Sequence, residues 1–95
     1  MIYYIQPKAG GLVKIGHSIN VDHRLATLQA SSPLELVVRS TEHGGYQREA
    51  ELHWQFRDLR EHGEWFRPHP YMPGVILDRY ERRERLLDRI CDPED

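Results

Sequence analysis

The stretch IYYIQPKAGGLVKIG, residues 2–16, decides the fold of this chain. Its two ends, residues 2–6 and 12–16, are rich in β-branched and aromatic side chains, which predicts two strands. The intervening residues 7–11 contain one proline and two glycines and predict a turn. Because strands joined by a short glycine-containing turn pair in antiparallel fashion, we expect a hairpin that forms the centre of the sheet.

A helix is predicted directly after the hairpin. Asn20 is a favourable N-cap residue, and Val21, Leu25 and Leu28 recur at the spacing of one helical face. The sequence Ser-Ser-Pro at residues 31–33 ends the helix. The apolar face indicates that this helix packs on the sheet.

The rest of the chain alternates between extended and helical patterns. Residues 34–40 predict a third strand and residues 46–60 a second helix. Residues 64–67 predict a short extended segment, and Pro73 suits the first turn of a last helix over residues 74–91. The predicted fold is α+β, with a small three-stranded antiparallel sheet flanked by helices and an additional C-terminal helix.

Length, composition and charge exclude several classes of protein. A chain of 95 residues predicts one domain, with residues 1–70 as its main body and residues 71–95 as a helical extension. The single cysteine, Cys91, excludes an internal disulfide and a Cys-rich zinc site. No apolar run approaches the roughly 20 residues needed to cross a bilayer, and the N-terminus does not have the features of a signal peptide. We therefore expect a cytoplasmic protein without membrane contact. The net charge of −2 requires that any positive charge used on nucleic acid be local, unless the contact is transient or a partner assists.

The second predicted helix carries an acid within its apolar sector. At 100° per residue, Glu49 lies about 20° from Phe56 and about 40° from His53, whereas Glu51 faces away. A carboxylate among apolar side chains is costly unless it is paired or binds a cation. Two explanations stay open: an ion pair between Glu49 and Arg24, or a ligand for a cation such as Mg²⁺, which prefers oxygen donors.

Two basic side chains are ambiguous in the same way. Lys14 lies between β-branched residues of the second strand. It is either a functional residue or an ordinary lysine on the solvent-facing side of a half-buried strand. Arg24 borders the apolar face of the first helix, so it either extends to solvent or binds an anion.

The segments that contain these residues resemble the GIY-YIG nuclease superfamily. One branch, found in phage, bacterial and fungal meiotic proteins, carries a Lys-Ile-Gly variant of the second signature. The resemblance covers residues 2–67 and rests on the order and spacing of five motifs. They are Ile2-Tyr3-Tyr4-Ile5, Val13-Lys14-Ile15-Gly16-His17-Ser18, Arg24-Leu25-Ala26-Thr27-Leu28-Gln29, Glu49-Ala50-Glu51-Leu52-His53-Trp54-Gln55-Phe56 and Gly63-Glu64-Trp65-Phe66.

The resemblance implies a metal-dependent endonuclease that hydrolyses phosphodiester bonds, with DNA a more expected substrate than RNA. Tyr3, Lys14, Arg24 and Glu49 match the catalytic positions of the superfamily. Glu49 matches its metal ligand, for which Mg²⁺ or Mn²⁺ is the expected cofactor. Tyr3 is the expected general base, Lys14 would favour its phenolate form, and Arg24 would hold a phosphate oxygen.

The chain also departs from the superfamily. Met1 replaces a glycine, Leu28 occupies a position where His or Tyr is frequent, and a late asparagine has no clear counterpart. His17 and His53 are candidates to substitute, and Glu64 is a candidate supporting residue. The alternative function is therefore a catalytically weak module that binds nucleic acid or a protein partner.

The remaining features have structural explanations beside functional ones. Trp65 and Phe66 are expected in the core, with substrate contact as the alternative. The last predicted helix carries five arginines interleaved with acids, as a solvated ion-pair surface does. Its alternative roles are to follow a nucleic-acid strand or to form a homodimer through the apolar stripe from Ile76 to Ile90.

Overall fold

The computed structural model describes residues 1–77. Strands β1 (Ile2–Pro7) and β2 (Val13–His17) form the predicted antiparallel hairpin, in which Tyr3 lies opposite Gly16. Directly opposite residues of antiparallel strands point to the same side of the sheet. Tyr3, Gly16 and, by alternation, Lys14 therefore share one face.

Helix α1 (Val21–Ala30) and strand β3 (Leu36–Glu42) follow in the predicted order. The side chain of Asn20 accepts a hydrogen bond from the backbone N–H of His23, which confirms the predicted N-cap. β3 pairs antiparallel with β1 on the side away from β2. The fold is α+β, as predicted.

The sheet has five strands, whereas three were predicted. Strands β4 (Arg60–His62) and β5 (Trp65–Phe66) extend it beyond β2, in the order β3-β1-β2-β5-β4. Gly63, with φ of +54°, makes the turn between them. The predicted extended segment is thus a sheet strand. Strands of two and three residues are too short to produce a periodic pattern, so the sequence does not reveal them as sheet members.

Helix α2 (Tyr46–Gln55) is shorter than the predicted residues 46–60. The chain continues as a turn of 3-10 helix (Arg57–Leu59) and then extends into β4. Leu59 still packs against the same core cluster as α2. The apolar repeat therefore continues past the end of the α-helix, and for this reason the sequence pattern predicts a helix that is five residues too long.

Two apolar clusters cover the two faces of the sheet. On one face, Tyr3, Ile5 and Leu36 pack against α1. The cluster on the other face includes residues of α2 and of the segment after β5. Its buried members are Ile2, Tyr4, Val13, Ile15, Leu52, Phe56, Phe66 and Met72.

The segment after β5 returns to the sheet. Met72 is buried, and the hydroxyl of Ser40 donates a hydrogen bond to the carbonyl of Pro73 at 2.9 Å. Gly74, with φ of +77°, leaves helical geometry, so the helix predicted to begin at residue 74 is wrong for residues 74–77. The remainder of that helix, including its arginines and proposed dimer stripe, lies outside the described residues. Within residues 1–77, neither helix has the length and apolarity of a membrane span.

The amide of Gln6 ties this returning segment to the sheet. Its Nε2 donates to the carbonyls of Gly11 and Ile76 at 2.8 and 3.0 Å. Its Oε1 accepts from the Nε of Arg39 and the backbone N–H of Ile76 at 2.8 and 2.9 Å. Gln6 is fully buried, and both donors and both acceptor sites of its side chain are satisfied.

Replacing Gln6 with leucine is expected to lower the free energy of unfolding by about 2–4 kcal/mol, because the partly buried partners of its fully buried amide lose their hydrogen bonds. Urea denaturation followed by circular dichroism measures this. The matched variant Gln47→Leu changes an exposed glutamine and is expected to stay within about 0.5 kcal/mol of wild type. Equal stability of Gln6→Leu and wild type would contradict the prediction.

Candidate functional site

The site lies at the edge of β2, where β5 stops covering it. β5 pairs with β2 at Val13 and Lys14, and the next residue, Ile15, finds other partners. Its backbone N–H donates to the carbonyl of Glu64 at 3.1 Å. Its carbonyl accepts a hydrogen bond from Nε2 of His53 at 2.8 Å. A helix residue and a turn residue are thereby held side by side at this edge.

Glu49, His53 and Glu64 form a cluster of potential metal ligands. Each offers one ligand atom, and these atoms all lie within 4.8 Å of one another. Glu49 and His53 are four residues apart on α2 and so share a helical face. All three side chains are partly buried. Two carboxylates and an imidazole at this spacing fit a divalent cation, because these donors match the cation in charge and chemistry.

His17 approaches the same cluster from the end of β2. Its Nδ1 lies 3.4 Å from Oε2 of Glu49, and this buried nitrogen makes no hydrogen bond of good geometry within the described chain. The ring of Tyr46 packs edge-on against the imidazole, with centroids 4.0 Å apart. Within residues 1–77, the basic side chain beside the Glu49 carboxylate is His17, and no ion pair joins Glu49 to Arg24.

Tyr3 lies on the α1 side of the same edge and is fully buried. Nη1 of Arg24 donates to its hydroxyl at 3.5 Å. The ring packs so closely over Gly16 that a Cβ on that glycine would lie 2.5 Å from the hydroxyl oxygen and 3.1 Å from Oε1 of Glu64. The glycine therefore makes room for the hydroxyl of Tyr3 next to the ligand cluster.

Burial raises the pKa of Tyr3, and this effect outweighs the positive charge of Arg24, which lowers it. The carboxylates of Glu64 and Glu49 raise the pKa of Tyr3 further. The sequence predicted that Lys14 favours the phenolate, but in the structure the cation that does so is Arg24. Tyr3 is thus a neutral phenol at neutral pH.

Lys14 is held by two contacts on its own side of the sheet. Its Nζ lies 3.4 Å from Oε1 of Glu64 and 5.4 Å from the centre of the Trp65 ring. Its side chain is mostly buried, so it is not the solvent-facing lysine of the alternative explanation. Glu64 thereby links Lys14 to the ligand cluster.

The edge of β2 thus collects the residues named from the sequence: Tyr3, Lys14, Arg24, Glu49, His17, His53 and Glu64. Of these, Glu64 is the one whose importance the sequence understated. Its signal is the Gly-Glu step before β5, where Gly63 makes a turn with positive φ. Leu28 packs against the α1-side cluster, so that position supplies no polar group. Phe66 is buried as expected, whereas Trp65 is only partly so.

The chain is similar to a known protein family. A family model described as the T5orf172 domain matches residues 1–91. No curated protein and no solved structure is significantly similar to the chain.

Replacing Gly16 with alanine is expected to displace the Tyr3 hydroxyl and to lower the free energy of unfolding by about 1–3 kcal/mol through overpacking. Urea denaturation measures the cost. Gly45→Ala is the matched control, since a Cβ there meets no atom within 4 Å. Gly45 is the N-cap residue of α2, and its change to alanine is expected to cost under about 1 kcal/mol. If Gly16→Ala is as stable as Gly45→Ala, the close packing of Tyr3 on Gly16 is wrong.

Proposed function

The chain belongs to the T5orf172 domain family, a GIY-YIG-like family, and we propose that it is a divalent-metal-dependent endonuclease that hydrolyses phosphodiester bonds of DNA. We further assign it to the GIY-YIG branch with the Lys-Ile-Gly second signature. The observation that carries the proposal is the convergence of a tyrosine, an arginine, a lysine and a carboxylate–histidine cluster at one strand edge.

The positive groups of the site would bind the scissile phosphate. Arg24 already points its guanidinium at the hydroxyl of Tyr3, so a phosphate oxygen bound there would lie beside the tyrosine. Lys14 adds a second cation on the same face of the sheet. Two local cations suit a chain with a net charge of −2, because they attract the phosphate without a basic surface.

Glu49 would hold the divalent cation, Mg²⁺ or Mn²⁺. Such an ion, when bound, supplies charge neutralisation at the phosphate and at the leaving oxygen. His17, whose Nδ1 lies 3.4 Å from the carboxylate, would help to orient Glu49. His53 and Glu64 stand next to it in the ligand cluster.

Tyr3 would accept the proton of the attacking water. Its hydroxyl accepts a hydrogen bond from Arg24 at 3.5 Å, and a Cβ on Gly16 would lie within 3.1 Å of both that hydroxyl and Oε1 of Glu64. The raised pKa of Tyr3 makes the phenolate scarce at neutral pH but strongly basic once formed. The reaction rate is therefore expected to follow the fraction of phenolate.

A second candidate function is a module that binds nucleic acid or a protein without efficient cleavage. Leu28 favours it, because this side chain packs against the sheet and leaves a position of the superfamily site without a polar group. Saturable DNA binding in the presence of Mg²⁺ with no cleavage would select this function.

Glu49→Gln is expected to reduce Mg²⁺- or Mn²⁺-dependent cleavage of a labelled DNA duplex by about 100-fold or more, because it removes the charge of the metal-binding carboxylate. Glu51→Gln is the matched control on the same helix, exposed and paired with Arg48 instead. Its rate is expected to stay within about 2-fold of wild type. Cleavage by Glu49→Gln at the wild-type rate would refute the enzymatic proposal.

The cleavage rate is expected to rise about tenfold per pH unit between pH 7 and 9, because the pKa of Tyr3 is raised above its ordinary value of about 10 and the phenolate is the active form. Single-turnover rates across this range measure the slope. Tyr3→Phe should be slow and lose this slope; a variant that keeps both rate and slope would exclude Tyr3 as the base.

A further inference from the structure

We propose that Glu49, His53 and Glu64 together form a three-ligand metal site that binds Mn²⁺, and other borderline divalent metals, in preference to Mg²⁺. This inference deepens the proposed function and rests on it for the role of the ion in cleavage. It differs from a site with one glutamate, because it assigns two further ligands, Glu64 and His53, of which His53 is a nitrogen donor. The ligand atoms of the three residues lie within 4.8 Å of one another.

The hydrogen bond of His53 prepares its ring for metal binding. A carbonyl can only accept, so the contact with Ile15 at 2.8 Å places a proton on Nε2. In the neutral ring, Nδ1 then carries the lone pair. Metal-binding histidines commonly donate the opposite N–H to a backbone carbonyl in this way, which fixes the tautomer and the ring orientation. The ring of Phe66, with its centroid 5.0 Å away, packs beside the imidazole.

The two carboxylates create a need for positive charge. Glu49 and Glu64 come from different segments and bring two negative charges within the same 4.8 Å cluster. Each has one nearby basic group at 3.4 Å: His17 for Glu49 and Lys14 for Glu64. A divalent cation between the carboxylates removes their repulsion and lies where both can bind it.

The nitrogen donor determines which metals are favoured. Mg²⁺ takes oxygen ligands and keeps several waters, whereas Mn²⁺, Co²⁺ and Zn²⁺ accept imidazole readily. Affinity rises from Mn²⁺ through Co²⁺ at mixed nitrogen and oxygen sites. Three protein ligands also leave coordination positions for water and for a phosphate oxygen.

The test is metal binding by the full chain, without DNA. Mn²⁺ titration followed by electron paramagnetic resonance, with Mg²⁺ as competitor, is expected to give an affinity for Mn²⁺ at least about tenfold above that for Mg²⁺. His53→Gln is expected to weaken Mn²⁺ binding by about 10- to 100-fold and to reduce this preference. Glu64→Gln is expected to weaken binding of both metals. The controls His43→Gln and Glu35→Gln change exposed side chains and should leave both affinities unchanged.

Pulsed electron paramagnetic resonance of Mn²⁺ bound to the wild-type chain gives a test that needs no variant. A nitrogen-14 coupling from a directly bound imidazole is expected, and it should disappear in His53→Gln. Absence of this coupling in wild type overturns the proposal, as do equal affinities for Mn²⁺ and Mg²⁺ that neither His53→Gln nor Glu64→Gln changes. If thermal unfolding shows that His53→Gln does not fold, the wild-type coupling and Glu64→Gln decide.

The same experiments separate this inference from the nuclease proposal. Tight, nitrogen-coupled Mn²⁺ binding without DNA cleavage supports the metal site and removes only the enzymatic function. Cleavage with Mg²⁺ that is lost in Glu49→Gln but unaffected by His53→Gln and Glu64→Gln, with no nitrogen coupling, supports the function and overturns the three-ligand site.

Discussion

The backbone of Ile15 is the point on which the arrangement of the site depends. Because β5 pairs with β2 at only two residues, the N–H and carbonyl of Ile15 would face an open edge if other partners were absent. The carbonyl of Glu64 and the imidazole of His53 take these positions. Buried backbone N–H and carbonyl groups need hydrogen-bond partners. The two hydrogen bonds that satisfy Ile15 therefore also hold the β4–β5 turn next to one face of α2. The side chain of Ile15, meanwhile, is fully buried in the α2-side core.

A strand edge also explains how residues from opposite faces of a covered sheet come together. Tyr3 and Lys14 point to the α1 face, whereas His17 and the residues of α2 lie on the other. At the edge of β2 the carboxylate of Glu64 is close to residues of both faces. It lies 3.4 Å from Lys14 and belongs to the ligand cluster with Glu49. Gly16 permits this position of Glu64, because a Cβ there would clash with the Tyr3 hydroxyl and lie only 3.1 Å from Oε1 of Glu64. The absence of a side chain is therefore as important to the site as the polar groups.

Local patterns predicted the central elements because each of those elements produces a repeat long enough to recognise. The hairpin, the Asn20 cap and the position of Glu49 within the apolar sector of α2 all follow from period or from capping chemistry. Strands β4 and β5 are too short for such a repeat, and the 3-10 turn that carries Leu59 imitates a continued helix. The partners of Gln6 lie as far as 70 residues away along the chain, so no local pattern could reveal why a glutamine is buried there.

The electrostatics of the edge link the proposed metal site to the proposed base. The carboxylates of Glu64 and Glu49 both raise the pKa of Tyr3, and burial raises it more. These carboxylates therefore oppose the formation of a phenolate for as long as their charge is uncompensated. A divalent cation bound by the two carboxylates would neutralise their combined charge. Their effect on the pKa of Tyr3 would then disappear, and the positive charge of Arg24 would still favour the phenolate. Binding of the cation and activation of the tyrosine are thus expected to reinforce each other, because both act on the charge balance of the same few side chains.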